Sequence, residues 1–409
     1  MIKPLPRLAC ADVLLAAGLG EHHAWFAARW DAASLDGGFL IPAAVRATCD
    51  ELGMRAENRD LLLNGLALFH RIPQLRVLAA QILLLCCERD DDTARNPGMF
   101  PALPATLHPS AGLFYAYIVL GGYADTVAWN AKRGIPPETT RAVFADLERW
   151  LDEHQRAYGQ PGFNRMGWLW LHLQGRLHQL GRLQFELTTW QAPVRALRHT
   201  SGNGTALLMA GEQELRADGR HQGIAGSERD PRGFTTMLSA SPQGWRGHRV
   251  ADGVAEAKPS DWAASEWQAA LSPGDPVLFL HIPAGGGLTP EACAASCRAA
   301  LEFFPRHFPE RPFAALVSIS WMFDPQLARV LPAESNLVRF QRAFHLHPHA
   351  DLQGRQIRER VLGHPDADWR TLTPTTSLQR AVIEHLRAGG LWCQHGAVLF
   401  PDAVEHSFR

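Results

Sequence analysis

The sequence is poor in tyrosine and lysine. It has four tyrosines among 409 residues, and its three lysines contrast with many arginines. Acidic and basic side chains nearly balance, at 41 against 40, so the chain lacks the positive charge that attracts nucleic acid or an anionic membrane. Its longest apolar runs, residues 77–87 and 111–124, are shorter than the roughly 20 residues of a membrane span. We therefore expect neither a nucleic acid nor a membrane as partner.

Disulfide chemistry and export signals are also missing from the pattern. The seven cysteines are an odd number and lie mostly in apolar, helix-like contexts. The first residues, MIKPLPRLAC, have no signal-peptide core or cleavage site. Both features predict a protein of the reducing cytoplasm.

One stretch, PVLFLHIPAGGG followed by LTPEACAASCRAALEFF, predicts a strand, a glycine turn and a helix in direct succession. Residues 277–282 form an apolar, β-prone run, which suits a strand covered on both faces. The three glycines at 285–287 allow the backbone to approach another molecule closely. Thr289 occupies the N-cap position and Pro290 the first helical position. The start of this helix therefore offers unpaired amides to an anion such as a phosphate.

The same arrangement also forms simple crossovers that bind no ligand, and Glu291 already supplies negative charge to the helix dipole. The spacing PAGGGL matches neither G-x-x-x-x-G-K-[ST] nor G-x-G-x-x-G, which argues against nucleoside triphosphate hydrolysis and dinucleotide binding. No G-x-S-x-G motif occurs, which weakens a serine hydrolase interpretation. An anion site that serves none of these three functions remains as an interpretation of this stretch.

The segment HIPAGGG to QRAF at residues 281–344, with LGRLQFE at 180–186, resembles the GNAT-like C-terminal domain of a two-domain bacterial acyltransferase family. The preceding residues resemble that family's helical N-terminal domain. The resemblance implies an α+β chain, with an all-helical N-terminal domain (1–160) followed by a GNAT-like mixed α/β sheet domain (161–409). It also implies that the strand at 277–282 is central and that the turn binds acyl-CoA. The implied coenzyme A contacts are Ile282, Ala284, Gly285, Gly286, Gly287, Leu288 and Thr289.

The chain departs from the usual GNAT signature, Q/R-x-x-G-x-G/A, which does not follow this strand. The match, RHQGIA at residues 220–225, lies in the polar, glycine-rich segment 211–233, for which the composition predicts a mobile surface loop.

Two ionisable residues, Glu186 and His281, interrupt strongly apolar strand patterns. Buried there, each needs a partner or a shifted pKa, and plain structural pairing accounts for them as well as catalysis does. The resemblance implies transfer of an acyl group from coenzyme A to an amine or hydroxyl of a small-molecule acceptor. A backbone amide near residues 280–282 would polarise the thioester carbonyl, and His281 is the first candidate base, with Glu186 second.

The group that protonates the departing thiolate is a further question. Many GNAT enzymes use a tyrosine for this step, but all four tyrosines of this chain precede the GNAT-like region. A thiolate leaves readily, so a weak donor such as Ser318 or Ser320, or a bound water, is expected to suffice. Both serines could equally serve only to satisfy neighbouring backbone groups.

Two further groups of residues resemble metal sites. Cys293 and Cys297 are spaced i, i+4 on an apolar stripe, which favours a place in the core. His345, His347 and His349 alternate as a metal site on a strand could require, but Pro348 interrupts that strand. We therefore expect acyl transfer without a metal. A noncatalytic acyl-CoA-binding or scaffold protein and a histidine-cluster metal enzyme stay open as alternatives.

Other elements of the second domain follow from turn and cap signals. The helix at 377–388 is expected to have Ser377 as its N-cap. The predicted strands are 182–190, 194–199, 205–209, 234–239, 245–250, 312–322, 343–347 and 391–400.

Overall fold

The computed structural model describes residues 5–30, 37–87, 89, 100–163, 166–202, 204–364 and 366–408, with only the backbone of Met166 and Leu169. The chain forms two compact units, Met1–Gln179 and Leu180–Arg409. The sequence places the domain boundary at residue 160. In the structure the following helix, at Met166–Leu173, packs within the first unit, where its His172 contacts Asp146.

The first unit is helical. In the described residues, the helices at Pro42–Glu51 and Pro137–Phe144 begin with proline, because proline fixes the backbone for a helical start and its missing N–H costs nothing there. In the described residues the helices are α1 (Cys10–Ala16), α2 (His23–Ala27), α3 (Pro42–Glu51), α4 (Ala56–Gly65), α5 (Ala67–Arg71), α6 (Gln74–Cys87), α7 (Phe114–Ala131), α8 (Pro137–Phe144), α9 (Asp146–Tyr158) and α10 (Met166–Leu173).

Helix α7 lies in the core of this unit and carries three of the four tyrosines. The Tyr117 hydroxyl donates to the Leu62 carbonyl at 2.6 Å, and Gly65 allows this approach because a Cβ there would meet the hydroxyl. The Tyr115 hydroxyl donates to the Pro101 carbonyl at 2.8 Å. Burial raises the pKa of both tyrosines. These side chains are packing residues.

Within the described residues, no single helix has the length and apolar character to cross a membrane. One pair, Ala56–Arg71 with Gln74–Cys87, meets that test by length and composition only when the two helices are joined across a bend of 114°.

The second unit combines sheets and helices. A six-stranded sheet has the order β1-β2-β13-β14-β16-β15, and a five-stranded sheet has the order β10-β9-β4-β3-β12. A three-stranded sheet, β11-β8-β7, and a two-stranded pair, β5-β6, complete the described set. The strands are β1 (Leu177–Leu180), β2 (Leu183–Thr189), β3 (Val194–His199), β4 (Thr205–Met209), β5 (Glu214–Leu215), β6 (Phe234–Thr235), β7 (Leu238–Ser241), β8 (Gly244–Gly247), β9 (Arg249–Ala251), β10 (Val254–Ala255), β11 (Ser260–Ala263), β12 (Trp267–Leu271), β13 (Pro276–His281), β14 (Leu316–Ser320), β15 (His345–Pro348) and β16 (His395–Leu399).

In the part of the second unit that the structure describes, six helices follow β13. The N-cap of the helix at Ser377–Arg387 is Thr376, whose hydroxyl accepts from the Gln379 amide at 3.1 Å. Ser377 is therefore the first helical residue, and the sequence-based assignment of Ser377 as N-cap is wrong by one position. The helices are α11 (Pro290–His307), α12 (Leu327–Val330), α13 (Asn336–Arg342), α14 (Arg355–Val361), α15 (Ser377–Arg387) and α16 (Val404–Ser407).

The segment 211–233 is held by hydrogen bonds rather than left as a loose loop. The Gln222 side chain donates to the Leu215 and Asp230 carbonyls, and its oxygen accepts from the Asp230 amide. The Asp230 carboxylate accepts from the Ala217 amide at 3.0 Å. Composition missed this network because it depends on which polar side chains meet.

One apolar core is built from residues of both large sheets. Val277, Val317 and Val398 of the six-stranded sheet lie in one buried cluster with Val194 and Leu207 of the five-stranded sheet. One face of β13 and β14 therefore packs on the five-stranded sheet, which explains why β13 lacks the polar alternation of a half-exposed strand. Because side chains alternate along a strand, this packing determines which face of the sheet every other residue of β13 and β14 occupies.

Candidate functional site

Glu186 and His281 meet at the carboxyl end of β13. Strand β2 pairs antiparallel with β13, with Glu186 opposite Phe279 and Gln184 opposite His281, so Glu186 and His281 share one face as diagonal neighbours. His281 Nε2 lies 3.3 Å from Glu186 Oε2, and the two side chains are 14% and 11% exposed. The Phe279 ring packs on the imidazole at 4.7 Å between centroids. The pairing gives each buried polar group the partner that its burial requires.

This pair sets the roles of the two imidazole nitrogens. An ionised carboxylate can only accept hydrogen bonds, so in the tautomer that fits an ionised Glu186 the Nε2–H of His281 donates to it. The lone pair of the neutral ring then resides on Nδ1. Such a histidine can take a proton at Nδ1 while the carboxylate stabilises the resulting imidazolium.

The parallel pairing of β13 with β14 covers only part of the two strands. It joins Leu278 to Leu316 and Phe279 to Val317. Strand β13 nevertheless continues to His281 against β2, and β14 continues to Ser320 against β16. Toward their carboxyl ends the two strands are therefore unpaired with each other, in the centre of the sheet. Backbone groups on these facing edges are available to an inserted ligand, at the end of a sheet where ligands of α/β proteins bind.

The glycine turn directly follows β13 and is open. Ala284, Gly285, Gly286 and Gly287 are exposed. Gly285 and Gly286 have φ of 87° and 55°, the left-handed region that side chains disfavour. A Cβ at Gly285 would have nothing within 4 Å. Among the described residues, no partner accepts a hydrogen bond from the amides of Gly285 to Leu288.

Helix α11 begins where the sequence predicts. The Thr289 hydroxyl accepts from the Ala292 amide at 3.3 Å, and Pro290 is the first helical residue. The Thr289 side chain is thus already used as the cap, and Leu288 is buried beside it. The positive end of an 18-residue helix, together with the open turn, forms a place for an anion.

Arg182 is a part of this site that the sequence did not reveal. Its Nη2 donates to the Gly286 carbonyl at 3.3 Å, and no described residue accepts a hydrogen bond from its buried Nε. Burial lowers the pKa of Arg182 below its ordinary value. The β2–β13 register brings Arg182 level with the turn, and Asn336 approaches from α13, with Nδ2 3.9 Å from the position of a Cβ on Gly287. Both side chains place N–H donors beside the glycine turn.

Ser318 lies on the other face of the sheet. Leu278 pairs with Leu316, and Phe279 pairs with Val317, so Ser318 projects to the side opposite His281. Ser318 is buried, and the Ser320 hydroxyl accepts from the Met322 amide at 3.3 Å. The structure therefore brings Glu186 and His281 together and separates Ser318 from them.

Of the cysteines and histidines singled out in the sequence, Cys293, Cys297 and His347 are buried, whereas His349 is half-buried and His345 is exposed. Cys293 and Cys297 are fully enclosed in α11, and burial raises the pKa of Cys293 to about 11. His347 is buried in β15 against Trp190, at 5.3 Å between ring centroids, and burial lowers its pKa to about 3. Strand β15 ends at Pro348, so His349 lies beyond it.

The chain matches two family models in sequence. Residues 43–175 match the N-acyltransferase N-terminal domain, and residues 177–399, more than half of the chain, match the GNAT-like C-terminal domain. No curated protein matches the chain.

Solved acyltransferase structures share the fold. One is an acyltransferase in complex with coenzyme A and 10C-teicoplanin, and another is a mutant acyltransferase in complex with octanoyl-CoA. Each has a TM-score of 0.68 and 24% sequence identity over 96% of this chain and 99% of the other. A third, in complex with decanoyl-CoA and teicoplanin, has a TM-score of 0.67.

The matched models cover the helical unit and the sheet unit in the order that the sequence predicted. The predicted fold class and the predicted acyltransferase family are therefore confirmed. The chain belongs to the acyltransferase family in which an N-acyltransferase N-terminal domain precedes a GNAT-like C-terminal domain.

Proposed function

We propose that this acyltransferase moves an acyl group from a coenzyme A thioester to an amine or hydroxyl of a small-molecule acceptor by direct attack. One observation carries the proposal. The open glycine turn, whose amides have no partner in the described chain, follows the same strand that carries the His281–Glu186 pair. The turn could thus hold the phosphates of the thioester at the end of β13 where the candidate base lies, which supports the proposal.

The pyrophosphate of coenzyme A would lie on the turn. The amides of Gly285 to Leu288, the start of α11 and the Arg182 guanidinium are donors that suit phosphate oxygens. Ile282 and Ala284 join the turn to β13 and would flank the ligand where it leaves the turn. Thr289 supports the site indirectly, because its hydroxyl caps the helix.

The thioester would lie where β13 and β14 are unpaired. A backbone amide on these edges, near residues 280–282, can donate to the carbonyl oxygen and stabilise the negative charge that develops on attack. Nδ1 of His281 takes the proton of the attacking amine or hydroxyl, and Glu186 stabilises the imidazolium. The new carbon–nitrogen or carbon–oxygen bond forms, the carbon–sulfur bond breaks, and the thiolate takes a proton from water or a weak donor.

The solved relatives suggest which substrates to try. They bind octanoyl-CoA and decanoyl-CoA, and two bind teicoplanin or a derivative together with coenzyme A or an acyl-CoA. We therefore propose medium-chain acyl-CoA as donor and include teicoplanin among the candidate acceptors. The chemistry at His281 requires of the acceptor only a nucleophilic amine or hydroxyl.

The experiment has two arms. Thermal shift with a panel of acyl-CoA thioesters of increasing length tests for donor binding, and release of free thiol with pooled amine and hydroxyl acceptors tests for transfer. We expect a stabilising shift and acceptor-dependent thiol release. Binding without release from any acceptor would favour the noncatalytic acyl-CoA-binding alternative, and absence of both would reject coenzyme A as ligand.

Replacing Ser318 with alanine should change the transfer rate by less than about threefold, far below the loss expected for a general base. The reason is its position on the sheet face opposite His281. Steady-state turnover of Ser318→Ala against wild type measures this. A hundredfold loss in a folded variant that still binds acyl-CoA would make Ser318 a catalytic acid.

Replacing Arg182 with glutamine should weaken coenzyme A binding by about 10-fold, the scale of one charge-assisted hydrogen bond. Turnover at saturating donor should change little, because the pyrophosphate lies away from the reacting carbonyl. Arg306→Gln, in the last turn of α11, is the matched control and should bind as wild type does. Equal affinities of the two variants would remove Arg182 from the site.

We also propose that the enzyme works in the cytoplasm of a bacterium. Its cysteines are all free, which suits a reducing compartment. Fractionation of a native host with an antibody to the protein tests this location.

A further inference from the structure

Three side chains with metal-binding chemistry converge beside the start of β16. Asp324 follows β14, and Cys393 and His395 lie where β16 begins. Strands β14 and β16 are antiparallel, with Ser320 opposite His395, so the chain leaving β14 meets the chain entering β16. All three residues are at most 1% exposed. One ligand atom from each lies within 4.8 Å of the other two.

The carboxylate in this cluster is buried among neutral hydrogen-bond donors, which include the Cys393 thiol at 3.6 Å. Asp324 is 0% exposed, and its oxygens accept from the backbone amides of Cys393 at 2.8 Å and Gln326 at 2.9 Å. No salt bridge to Asp324 occurs within the described part of the chain. Arg220 acts on it only at longer range, and that guanidinium pairs with Asp218 at 2.7 Å. Buried charges in proteins are normally paired or bound to a metal.

The spacing of the ligand atoms fits a tetrahedral zinc ion. With zinc bonds of about 2.3 Å to sulfur and about 2.0–2.2 Å to nitrogen or oxygen, the sulfur lies about 3.6 Å from each other ligand atom. Cys393 Sγ lies 3.6 Å from Asp324 Oδ2 and 3.7 Å from His395 Nδ1. The two sulfur distances therefore match the spacing around zinc, and the carboxylate oxygen and the imidazole nitrogen lie within 4.8 Å of each other.

We propose that Asp324, Cys393 and His395 bind one zinc ion. Zinc is favoured because thiolate, imidazole and carboxylate together are its ligands, whereas magnesium and calcium prefer oxygen alone. Binding releases the thiol proton of Cys393 to solvent, so that one thiolate and one carboxylate cancel the two positive charges of the ion. A water molecule completes the fourth tetrahedral position.

The ion joins segments that are 69 residues apart in sequence. It therefore clamps the start of β16 to the chain that leaves β14 and stabilises the centre of the six-stranded sheet. None of its ligands belongs to the proposed transfer site. The expectation that acyl transfer itself uses no metal is unchanged.

Elemental analysis of the full-length protein tests the site. After growth with zinc and purification without chelator, we expect one zinc per chain. After chelator treatment, titration with zinc chloride should restore one equivalent and raise the melting temperature. Cobalt in place of zinc should give the near-ultraviolet charge-transfer absorption of a thiolate–metal bond.

Cys393→Ser should lose this absorption and bind zinc at least 10- to 100-fold more weakly. Mutation of a residue that only hydrogen-bonds to a metal ligand already lowers metal affinity by about that factor. Cys297→Ser is the matched control, because Cys297 is equally buried but lies in α11, and it should keep one zinc. A wild-type protein that contains no zinc and takes up none on titration would overturn the proposal, whether or not the variants fold. So would equal zinc binding by wild type and Cys393→Ser.

Discussion

The His281→Ala variant should transfer acyl groups about 100-fold more slowly than wild type, or slower still. His281 is the residue at this end of β13 that can take a proton from the acceptor, and loss of a general base typically costs about 10²- to 10⁴-fold. The acceptor amine or hydroxyl would then have to attack while still carrying its proton. The measurement is the rate of thiol release at saturating acyl-CoA and acceptor.

Two further variants make the result interpretable. His406→Ala removes an exposed histidine of α16 and should turn over normally. Glu186→Gln keeps the size of the side chain but cannot stabilise an imidazolium, so it should lose less than His281→Ala. Near-normal turnover of His281→Ala would refute the assignment and move the base to Glu186 or to another residue. Unchanged acyl-CoA binding by His281→Ala would show that any rate loss is not a failure to fold.

The central stretch could be predicted because its signals are local. The apolar run predicted a strand at residues 277–282, and β13 spans Pro276–His281. Thr289 and Pro290 fixed the start of α11, since a cap and a first-turn proline act on the backbone within one turn. The strands at 194–199 and 205–209 were also predicted at their observed bounds, because the signals for these strands are local too.

The partners within the site could not be predicted, because they depend on strand register. Glu186 and His281 are 95 residues apart, and only the antiparallel pairing of β2 with β13 makes them neighbours. The same register carries Arg182 to the glycine turn. A shift of one residue would reverse the face of every side chain on a strand, so alternation alone could not tell that Ser318 faces away from His281.

The cluster of Asp324, Cys393 and His395 escaped the sequence for a related reason. Its spacing in the chain matches no metal motif, and the three residues meet only because β14 and β16 are antiparallel neighbours. The alternating histidines of β15 gave the stronger sequence signal, yet His347 is buried against Trp190. Proximity of ligand atoms, and not periodicity, indicates the site.

The Gly286→Asp variant should bind coenzyme A at least about 10-fold more weakly while keeping its fold. A Cβ at Gly286 would lie 3.5 Å from Arg182 Nε, so the new carboxylate would occupy the anion site and pair with the guanidinium that the phosphate needs. Loss of a hydrogen bond to a charged group costs about 1.5–3 kcal/mol, which is about 10- to 100-fold in affinity. Calorimetric titration with coenzyme A measures the effect.

Gly274→Asp is the matched control for this change. Gly274 also has a positive φ, at 95°, so the two variants share backbone strain and added charge, but an added Cβ at Gly274 has nothing within 4 Å and so meets no arginine. The control lies in the turn before β13, at the opposite end of the strand from the glycine turn. It should bind coenzyme A as wild type does. If a folded Gly286→Asp protein keeps wild-type affinity, the turn is not the pyrophosphate site, and coenzyme A must enter elsewhere.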